Sequence, residues 1–234
     1  LDDGRVLAGA GESLNDVVGY SVNEGLGGLE WATSIPGTIG GATLGNAGAF
    51  YGTMADVVRK ITVFDPSHHT FRTYSGKEAE FAYRTSRFKR TGEIITAIEL
   101  DLKPGNKKEL KRKSDSIRDY RAGRNPQEPS IGSVFKNIDD KKFIKPFLEQ
   151  YPDAREHYVH RWKTKIPTAY LIDMSGLKGM RIGGAEVADK HSAFIINTRG
   201  AKAEDVIMLT GLIKERIWNM FGIHLREEVR YVGF

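Results

Sequence analysis

The sequence predicts an α+β fold made of two regions that join near residue 125. Strand-like and helix-like segments both occur, but they do not alternate in the regular β-α-β order of a doubly wound sheet. The clearest linker signal is Asn125–Pro129, where two prolines fall within five residues. A length of 234 residues, with 40% hydrophobic and 28% charged residues, suits one large or two small globular domains.

The first region is predicted to combine several strands with one amphipathic helix. Apolar residues recur at helical spacing from Leu14 to Val22, and Ser13 has the side chain of a helix N-cap. The glycine cluster Gly25–Gly28 is expected to end this helix. Alternating or β-rich segments predict the strands Val6–Ala10, Lys60–Asp65, Thr70–Tyr74 and Ile94–Leu102.

Positive charge is concentrated in Lys103–Arg124, which carries nine basic and three acidic residues in a chain of net charge +5. The polar segment Lys107–Arg121 is predicted as a helix, and a solvated helix face is the simplest interpretation of its charge. Attraction of an anionic small molecule or of nucleic acid is the alternative. Aromatic residues do not interleave with these charges, which argues against a stacking platform for single strands.

The second region is predicted to contain partly helical residues 141–160, two short strands, a long helix and a final strand. The strands are Ile182–Val187, Ala193–Asn197 and Glu228–Val232. The helix is Ala203–Phe221, ended by Gly222. Its apolar stripe consists of Val206, Leu209, Ile213, Ile217 and Met220.

Composition excludes several kinds of site. The chain has no cysteine, so it has no disulfide, thiolate zinc site or cysteine nucleophile. No apolar run approaches the roughly twenty residues that a membrane helix requires. His157 and His160 are spaced as metal ligands on a helix, but no third ligand is evident and we expect no metal site.

The segment Ile35–Gly52, here called the glycine segment, contains six glycines and is the strongest candidate for a binding loop. Pro36 presets one backbone angle, Gly37 can adopt positive φ, and Thr38 adds a hydroxyl donor. Glycines let backbone N–H groups approach an anion closely. No Gly-Lys-Ser/Thr follows, so the segment is not a Walker P-loop, and a loop rich in glycine only for folding is the alternative.

The glycine segment resembles the FAD-binding segment of the UDP-N-acetylenolpyruvoylglucosamine reductase (MurB) family. Further matches occur in the same order at Tyr83–Phe88, Gly132–Asn137, Leu177–Gly179, Ile182–Ala185, Ile195–Asn197 and Glu228–Gly233. The resemblance implies the second part of a PCMH-like, FAD-binding α+β domain, followed by a MurB C-terminal-type α+β substrate domain. We expect residues 1–125 with a C-terminal strand 225–234 to form the first, and residues 126–224 the second. The family carries a further N-terminal FAD-binding subdomain, which this sequence is expected to lack.

The resemblance also implies an activity, two cofactors and a cellular setting. NADPH reduces FAD, which then reduces UDP-N-acetylglucosamine enolpyruvate to UDP-N-acetylmuramate for peptidoglycan synthesis. We expect a monomer in the bacterial cytoplasm that binds the UDP-sugar and NADPH, but neither nucleic acid nor a membrane. The alternatives are another FAD oxidoreductase of related fold and a basic nucleic-acid-binding module.

The residues that match the family's motifs take its roles by resemblance. Arg84 is expected to stabilise negative charge on the substrate carboxylate, Glu228 to hydrogen-bond the same group, and Ser133 to act as the general acid. The expected substrate-binding residues are Arg84, Lys136, Asn137 and His191. The expected cofactor-binding residues are Ser34, Ile35, Pro36, Gly37, Thr38, Ile39, Gly40, Gly41, Asn46, Gly48 and Ala49.

Overall fold

The computed structural model describes residues 4–50 and 52–233 and consists of two compact units, Leu1–Gly123 and Arg124–Phe234. Each unit has its own antiparallel sheet and helices, which confirms the α+β prediction. The boundary falls next to the predicted linker at Asn125–Pro129. None of the described helices is long and apolar enough to cross a membrane.

The first unit contains eight strands and four helices among the described residues. The strands are β1 Arg5–Gly9, β2 Leu26–Gly27, β3 Gly48–Ala49, β4 Gly52–Thr53, β5 Val58–Asp65, β6 Thr70–Ser75, β7 Ile94–Asp101 and β8 Lys103–Pro104. The helices are α1 Leu14–Glu24, α2 Ile39–Leu44, α3 Phe88–Thr91 and α4 Lys107–Arg124, the last of which ends at the boundary. Short 3₁₀ turns lie at Glu30–Ala32 and Met54–Asp56.

An antiparallel sheet of order β1-β7-β5-β6 forms one side of the core of this unit. Strand β5 buries Val58, Ile61 and Val63, and α1 buries its apolar face. Ser13 caps α1 by accepting a hydrogen bond from the Asp16 N–H, and Gly25 ends it with φ +73°, as predicted. The four strands predicted for this region are confirmed to within about two residues.

The second unit contains four strands and four helices among the described residues. The strands are β9 Ser130–Ser133, β10 Arg181–Ile182, β11 Ala185–Val187 and β12 Phe194–Asn197, paired in the order β10-β11-β12-β9. The helices are α5 Lys141–Gln150, α6 Pro152–His157, α7 Thr168–Met174 and α8 Ala203–Phe221, and a π-helical turn spans Tyr158–Trp162. Helix α8 buries Leu209, Ile213 and Ile217 as predicted, whereas Met220 at the end of the predicted stripe is 38% exposed.

Two strand predictions for this unit are wrong. The predicted strand Ile182–Val187 is a hairpin, because Gly183 adopts φ +53° and Asp205 binds the Gly184 N–H, which turns the chain between β10 and β11. The predicted strand Glu228–Val232 does not form. Among the described residues, the C-terminal chain pairs with a neighbouring backbone through a bridge between Phe135 and Glu227 and the hydrogen bonds that flank it, and no longer ladder follows. Alternating residues form a strand only where a neighbouring backbone continues the ladder.

Candidate functional site

The glycine segment is not one loop but a turn, helix α2 and the short hairpin β3–β4. Its open part is Pro36–Thr38, where all three residues are exposed. Gly37 has φ +107°, and a Cβ built on it would meet no heavy atom within 4 Å. Within the described part of the chain, the N–H groups of Gly37 and Thr38 have no hydrogen-bond acceptor. This turn therefore offers two backbone donors and open space to a ligand.

The next two residues of the segment serve the fold instead. Ile39 is fully buried, and its N–H binds the carbonyl of Glu12. The Gly40 N–H binds the carbonyl of Ala10, and a Cβ on Gly40 would lie 2.7 Å from the Ala10 Cβ and from its carbonyl oxygen. A glycine is needed here because α2 approaches the end of β1 too closely for any side chain.

Asn15, which the sequence did not single out, clamps the entrance to the segment. Its Oδ1 accepts the Ser34 N–H at 2.7 Å, and its Nδ2 donates to the Ile35 carbonyl at 3.0 Å. Ser34 has φ +63°, an unusual value for a residue with a side chain. The two hydrogen bonds hold the chain in this conformation just before the open turn. The sequence signal that could have pointed to this contact is the presence of a polar residue, Asn15, in the first turn of α1.

Asn46 was predicted to contact the cofactor, but the structure gives it a bracing role. The side chain is buried, its Nδ2 donates to the Ala82 carbonyl at 3.0 Å, and its Oδ1 accepts the Ala55 N–H at 3.0 Å. Gly48 is required by the hairpin, because a Cβ there would lie 2.8 Å from the Gly52 carbonyl oxygen. Ala49 is half-buried beside it.

Arg84 lies against this hairpin. Its guanidinium Nη2 donates to the Gly48 carbonyl at 2.7 Å, and the Lys89 Nζ donates to the Arg84 carbonyl at 3.0 Å. Ser86 Oγ donates to the Leu44 carbonyl at 2.8 Å, which ties the same stretch of chain to α2. The structure therefore brings the predicted catalytic arginine to the glycine segment, although the two are separated by 36 residues in sequence.

These features fit the diphosphate of a dinucleotide such as FAD. The fit rests on the unpartnered N–H groups of Gly37 and Thr38 and on the absence of a Cβ at Gly37. Backbone N–H groups that point at open space are suitable partners for phosphate oxygens. The exposed residue Gly41 lies close to this turn in sequence, in the first turn of α2.

A polar cleft of about 490 Å³ lies within the second unit. It is lined by Arg124, Ser133, Asn137, His157, Arg161, Trp162, Pro167, Ala169, Tyr170, Asp173, His191 and Ala193. Three of the predicted residues, Ser133, Asn137 and His191, therefore meet in one place. Arg161, Trp162 and Tyr170 were not predicted as site residues, because they lie outside the matched motifs and only the fold brings them to the cleft. Arg124 was noted only as part of the basic segment Lys103–Arg124.

The surroundings of His191 in this cleft favour its neutral form. Burial lowers its pKa, and the positive charge of Arg124 lowers it further. The Ala193 N–H points at the His191 Nδ1 at 3.4 Å, a geometry that favours the tautomer with its proton on Nε2. Burial and the carboxylate of Asp153 raise the pKa of Tyr170, which keeps its hydroxyl protonated. The cleft thus combines arginine cations with neutral hydrogen-bond donors.

Ser133 and Asn137 are positioned by the backbone around them. Ser133 ends β9 opposite Phe194 and is exposed, and its Oγ donates a long 3.4 Å hydrogen bond to the Phe135 carbonyl. Asn137 Oδ1 accepts the N–H of Thr168 at 3.2 Å at the start of α7. The hydroxyl of Ser133 can therefore turn towards a ligand without breaking a strong hydrogen bond.

Lys136 and Glu228 do not line this cleft. The Lys136 N–H binds the carbonyl of Arg226 at 2.8 Å, and the Glu228 N–H binds the carbonyl of Val134 at 2.7 Å. The C-terminal chain therefore runs beside residues 134–136 in the second unit. The C-terminal segment was expected to join the first region. Its backbone instead pairs with residues 134–136, which come directly after β9 in the second unit. The functional roles expected for the two regions stay predictions.

No metal site was found in the described ranges, 4–50 and 52–233, where no group of three or more potential ligands occurs. His157 instead contacts aromatic rings, with ring centroids 5.5 Å from Trp162 and 5.8 Å from Tyr170. Trp162 meets Tyr170 edge to face at 4.6 Å. This aromatic cluster forms one wall of the cleft.

Comparison with known families divides the chain in a similar way. A profile described as "FAD binding domain" matches residues 1–74. A profile described as "UDP-N-acetylenolpyruvoylglucosamine reductase, C-terminal domain" matches residues 125–232. Together these two matches cover the glycine segment and the whole cleft of the second unit apart from Arg124.

Individual relatives match along the full chain. The UDP-N-acetylenolpyruvoylglucosamine reductase of Heliobacterium modesticaldum is 36% identical over 234 residues, which is 100% of this chain and 67% of that protein. The enzyme of the same name from Lactiplantibacillus plantarum is 35% identical over 98% of this chain and 68% of its own length. The crystal structure of UDP-N-acetylenolpyruvylglucosamine reductase (MurB) from Thermus caldophilus has a TM-score of 0.76 and 31% identity, covering 98% of this chain and 73% of that one.

Proposed function

Because the chain belongs to the UDP-N-acetylenolpyruvoylglucosamine reductase family, we propose that it reduces UDP-N-acetylglucosamine enolpyruvate to UDP-N-acetylmuramate with NADPH and FAD. The observation that carries this proposal is the 36% identity to such a reductase over 234 residues. The alternatives, another flavin oxidoreductase and a nucleic-acid-binding module, do not account for that match. We further propose that the protein works as a monomer in the bacterial cytoplasm.

We propose that the exposed turn Pro36–Thr38 holds the FAD diphosphate, through the N–H groups of Gly37 and Thr38. FAD held there would supply the transfer of a hydride from NADPH to the enolpyruvyl double bond. Ser34, Ile35, Gly41, Gly48 and Ala49 remain proposed neighbours of the cofactor. Ile39, Gly40 and Asn46 support the same site from the interior, because their own contacts are with the core of the first unit.

Arg84 and Glu228 are proposed to act on the substrate carboxylate. Negative charge builds up there as the double bond is reduced, and a guanidinium with its fixed forked geometry stabilises such charge well. The Gly48 carbonyl holds one nitrogen of Arg84. A carboxyl at Glu228 that shares a proton would hydrogen-bond the same group.

Ser133 is proposed as the general acid that protonates the substrate carbon. Among the described residues, its hydroxyl has one weak hydrogen-bond partner, the Phe135 carbonyl, and it shares the cleft with two arginines. Positive charge nearby makes a hydroxyl proton easier to release. The arginines Arg124 and Arg161 suit the diphosphate of a UDP-sugar, with Asn137 and neutral His191 as hydrogen-bonding partners. Lys136 stays a proposed substrate contact from outside the lining of the cleft.

The Ser133→Ala variant tests this assignment by separating the two halves of the reaction. We expect flavin reduction by NADPH to proceed at the wild-type rate, while reoxidation by the enolpyruvyl UDP-sugar slows by about 10² to 10⁴-fold, the range for loss of a general acid. Stopped-flow absorbance of the flavin measures both steps. Ser130→Ala, in the same strand, is the matched control and should leave both unchanged. Loss of both steps, or of neither, would contradict the role of Ser133.

A further inference from the structure

We propose that Lys89 is a positioning residue, which sets the backbone of Arg84 so that its guanidinium faces the hairpin of the glycine segment. The inference rests on the proposed function only for its kinetic consequence. Its structural content concerns residues 82–89 and can be tested on the protein without cofactor.

Arg84 occupies a backbone conformation that an arginine does not favour. Ala82 and Thr85 exchange two backbone hydrogen bonds, of 3.1 and 3.2 Å, which close a tight turn with Tyr83 and Arg84 at its tip. Arg84 has φ +55°, whereas Tyr83 does not have positive φ. A positive φ at the third residue alone is the pattern of a type II turn, and glycine or asparagine is normally found there.

Such a conformation persists only where its surroundings stabilise it. The two ends of the turn are held by Asn46, which donates to the Ala82 carbonyl, and by Ser86, which donates to the Leu44 carbonyl. These contacts fix where the turn lies, but they do not act on the peptide group of Arg84 itself.

Lys89 acts on that peptide group directly. The side chain projects from α3 and is half-buried, and its ammonium donates to the Arg84 carbonyl at 3.0 Å. A hydrogen bond from a cation to a carbonyl is stronger than one between neutral groups. It favours the orientation of the peptide in which this carbonyl faces α3. The same orientation accompanies the 2.7 Å hydrogen bond from the Arg84 guanidinium to Gly48.

The two cations therefore have different roles. Arg84 is the group proposed to meet the substrate, and Lys89 acts through it without meeting the substrate itself. Loss of the ammonium frees the peptide to rotate, so the guanidinium samples positions away from Gly48. A displacement of about 1 Å in a catalytic group can slow a reaction by about a hundredfold.

The test uses two variants that remove the ammonium. Lys89→Met keeps the length and the apolar stem of the side chain. Lys89→Gln keeps a hydrogen-bond donor without the charge, and it can be measured if the first variant does not fold. Lys89→Arg restores a cationic donor. Lys77→Met, an exposed lysine of the same unit, is the matched control. The Arg84 Nε–H signal in a ¹⁵N NMR spectrum, identified by its loss in Arg84→Lys, reports the mobility of the guanidinium without FAD or substrate.

We expect Lys89→Met and Lys89→Gln to increase the mobility of Arg84 Nε–H and to leave that of Arg87, which is held separately beside Glu93, unchanged. Flavin reoxidation by the enolpyruvyl UDP-sugar should slow about ten- to a hundredfold, with NADPH-driven reduction unaffected. Lys89→Arg should recover most of both effects.

Unchanged Arg84 mobility in both variants would overturn the inference. So would equal loosening of Arg84 and Arg87 with a slowing of both half-reactions, since that would mean a general structural role. If the wild-type protein did not reduce the enolpyruvyl UDP-sugar at all, the proposed function would fail, and the NMR comparison alone would still decide the role of Lys89.

Discussion

Substitution of Gly40 by alanine is expected to destabilise the first unit strongly. The neighbouring substitution Gly41→Ala is not expected to destabilise it. A Cβ at position 40 would lie 2.7 Å from both the Cβ and the carbonyl oxygen of Ala10, which is backbone and cannot move aside. Overpacking costs up to about 3 kcal/mol. Loss of the hydrogen bond from Gly40 to Ala10 adds about 1 kcal/mol. The better helix propensity of alanine returns up to about 1 kcal/mol.

The net cost of Gly40→Ala is therefore about 3 kcal/mol, which corresponds to a fall in Tm of roughly 12 °C for a unit of this size. At Gly41 the nearest atom to a new Cβ is the Thr38 Oγ1 at 3.5 Å, an ordinary contact. Gly41→Ala should thus be neutral or stabilising by up to about 1 kcal/mol. Differential scanning calorimetry of the two variants measures the difference. Equal Tm values would refute the close approach of α2 to β1.

Three further predictions concern binding and pH. Gly37→Ala should weaken FAD binding at least tenfold in a fluorescence titration, because its Cβ enters the open space beside the free N–H groups and φ +107° suits only glycine. Burial lowers the pKa of His191, so the contribution of this residue to stability is fully present above the usual pKa of 6.5 and is lost as the pH falls below it. His191→Gln should therefore flatten this part of a plot of Tm against pH. The hydrogen bond from His68 lowers the pKa of Asp65, so the ionised carboxylate stabilises the fold above the usual pKa of 3.8, and this contribution is lost as the pH falls below it. Asp65→Asn should therefore lower the Tm at pH 7 and have little effect near pH 2.

Local sequence patterns predicted the regular elements best. The N-cap at Ser13, the glycine stop at Gly222 and the long helix α8 depend on residues adjacent in sequence, and the structure contains all of them. The wrong predictions depended on distant partners. The split of Ile182–Val187 needs Asp205 from the next helix. The final strand needs a second backbone beside it, and among the described residues the strand pairing of this segment ends at the bridge between Phe135 and Glu227.

The candidate site was predictable to the extent that its motifs are contiguous. Pro36–Thr38 is open as the glycine pattern suggested, whereas the bracing role of Asn46 follows from carbonyl and N–H groups that lie 36 and 9 residues away. The clamp by Asn15 likewise joins residues 19 and 20 positions apart. Spacing within one motif does not encode such contacts. The resemblance identified which residues matter, and the fold separates those that face a ligand from those that support them.

The most direct test of the proposed function is NADPH oxidation by the purified protein supplied with FAD, recorded with and without UDP-N-acetylglucosamine enolpyruvate. We expect a yellow protein whose flavin absorbance bleaches on addition of NADPH and returns when the enolpyruvyl UDP-sugar is added, with one NADPH consumed for each UDP-N-acetylmuramate formed. A flavin that is reduced by NADPH but reoxidised at the same rate with and without the UDP-sugar would contradict the proposal.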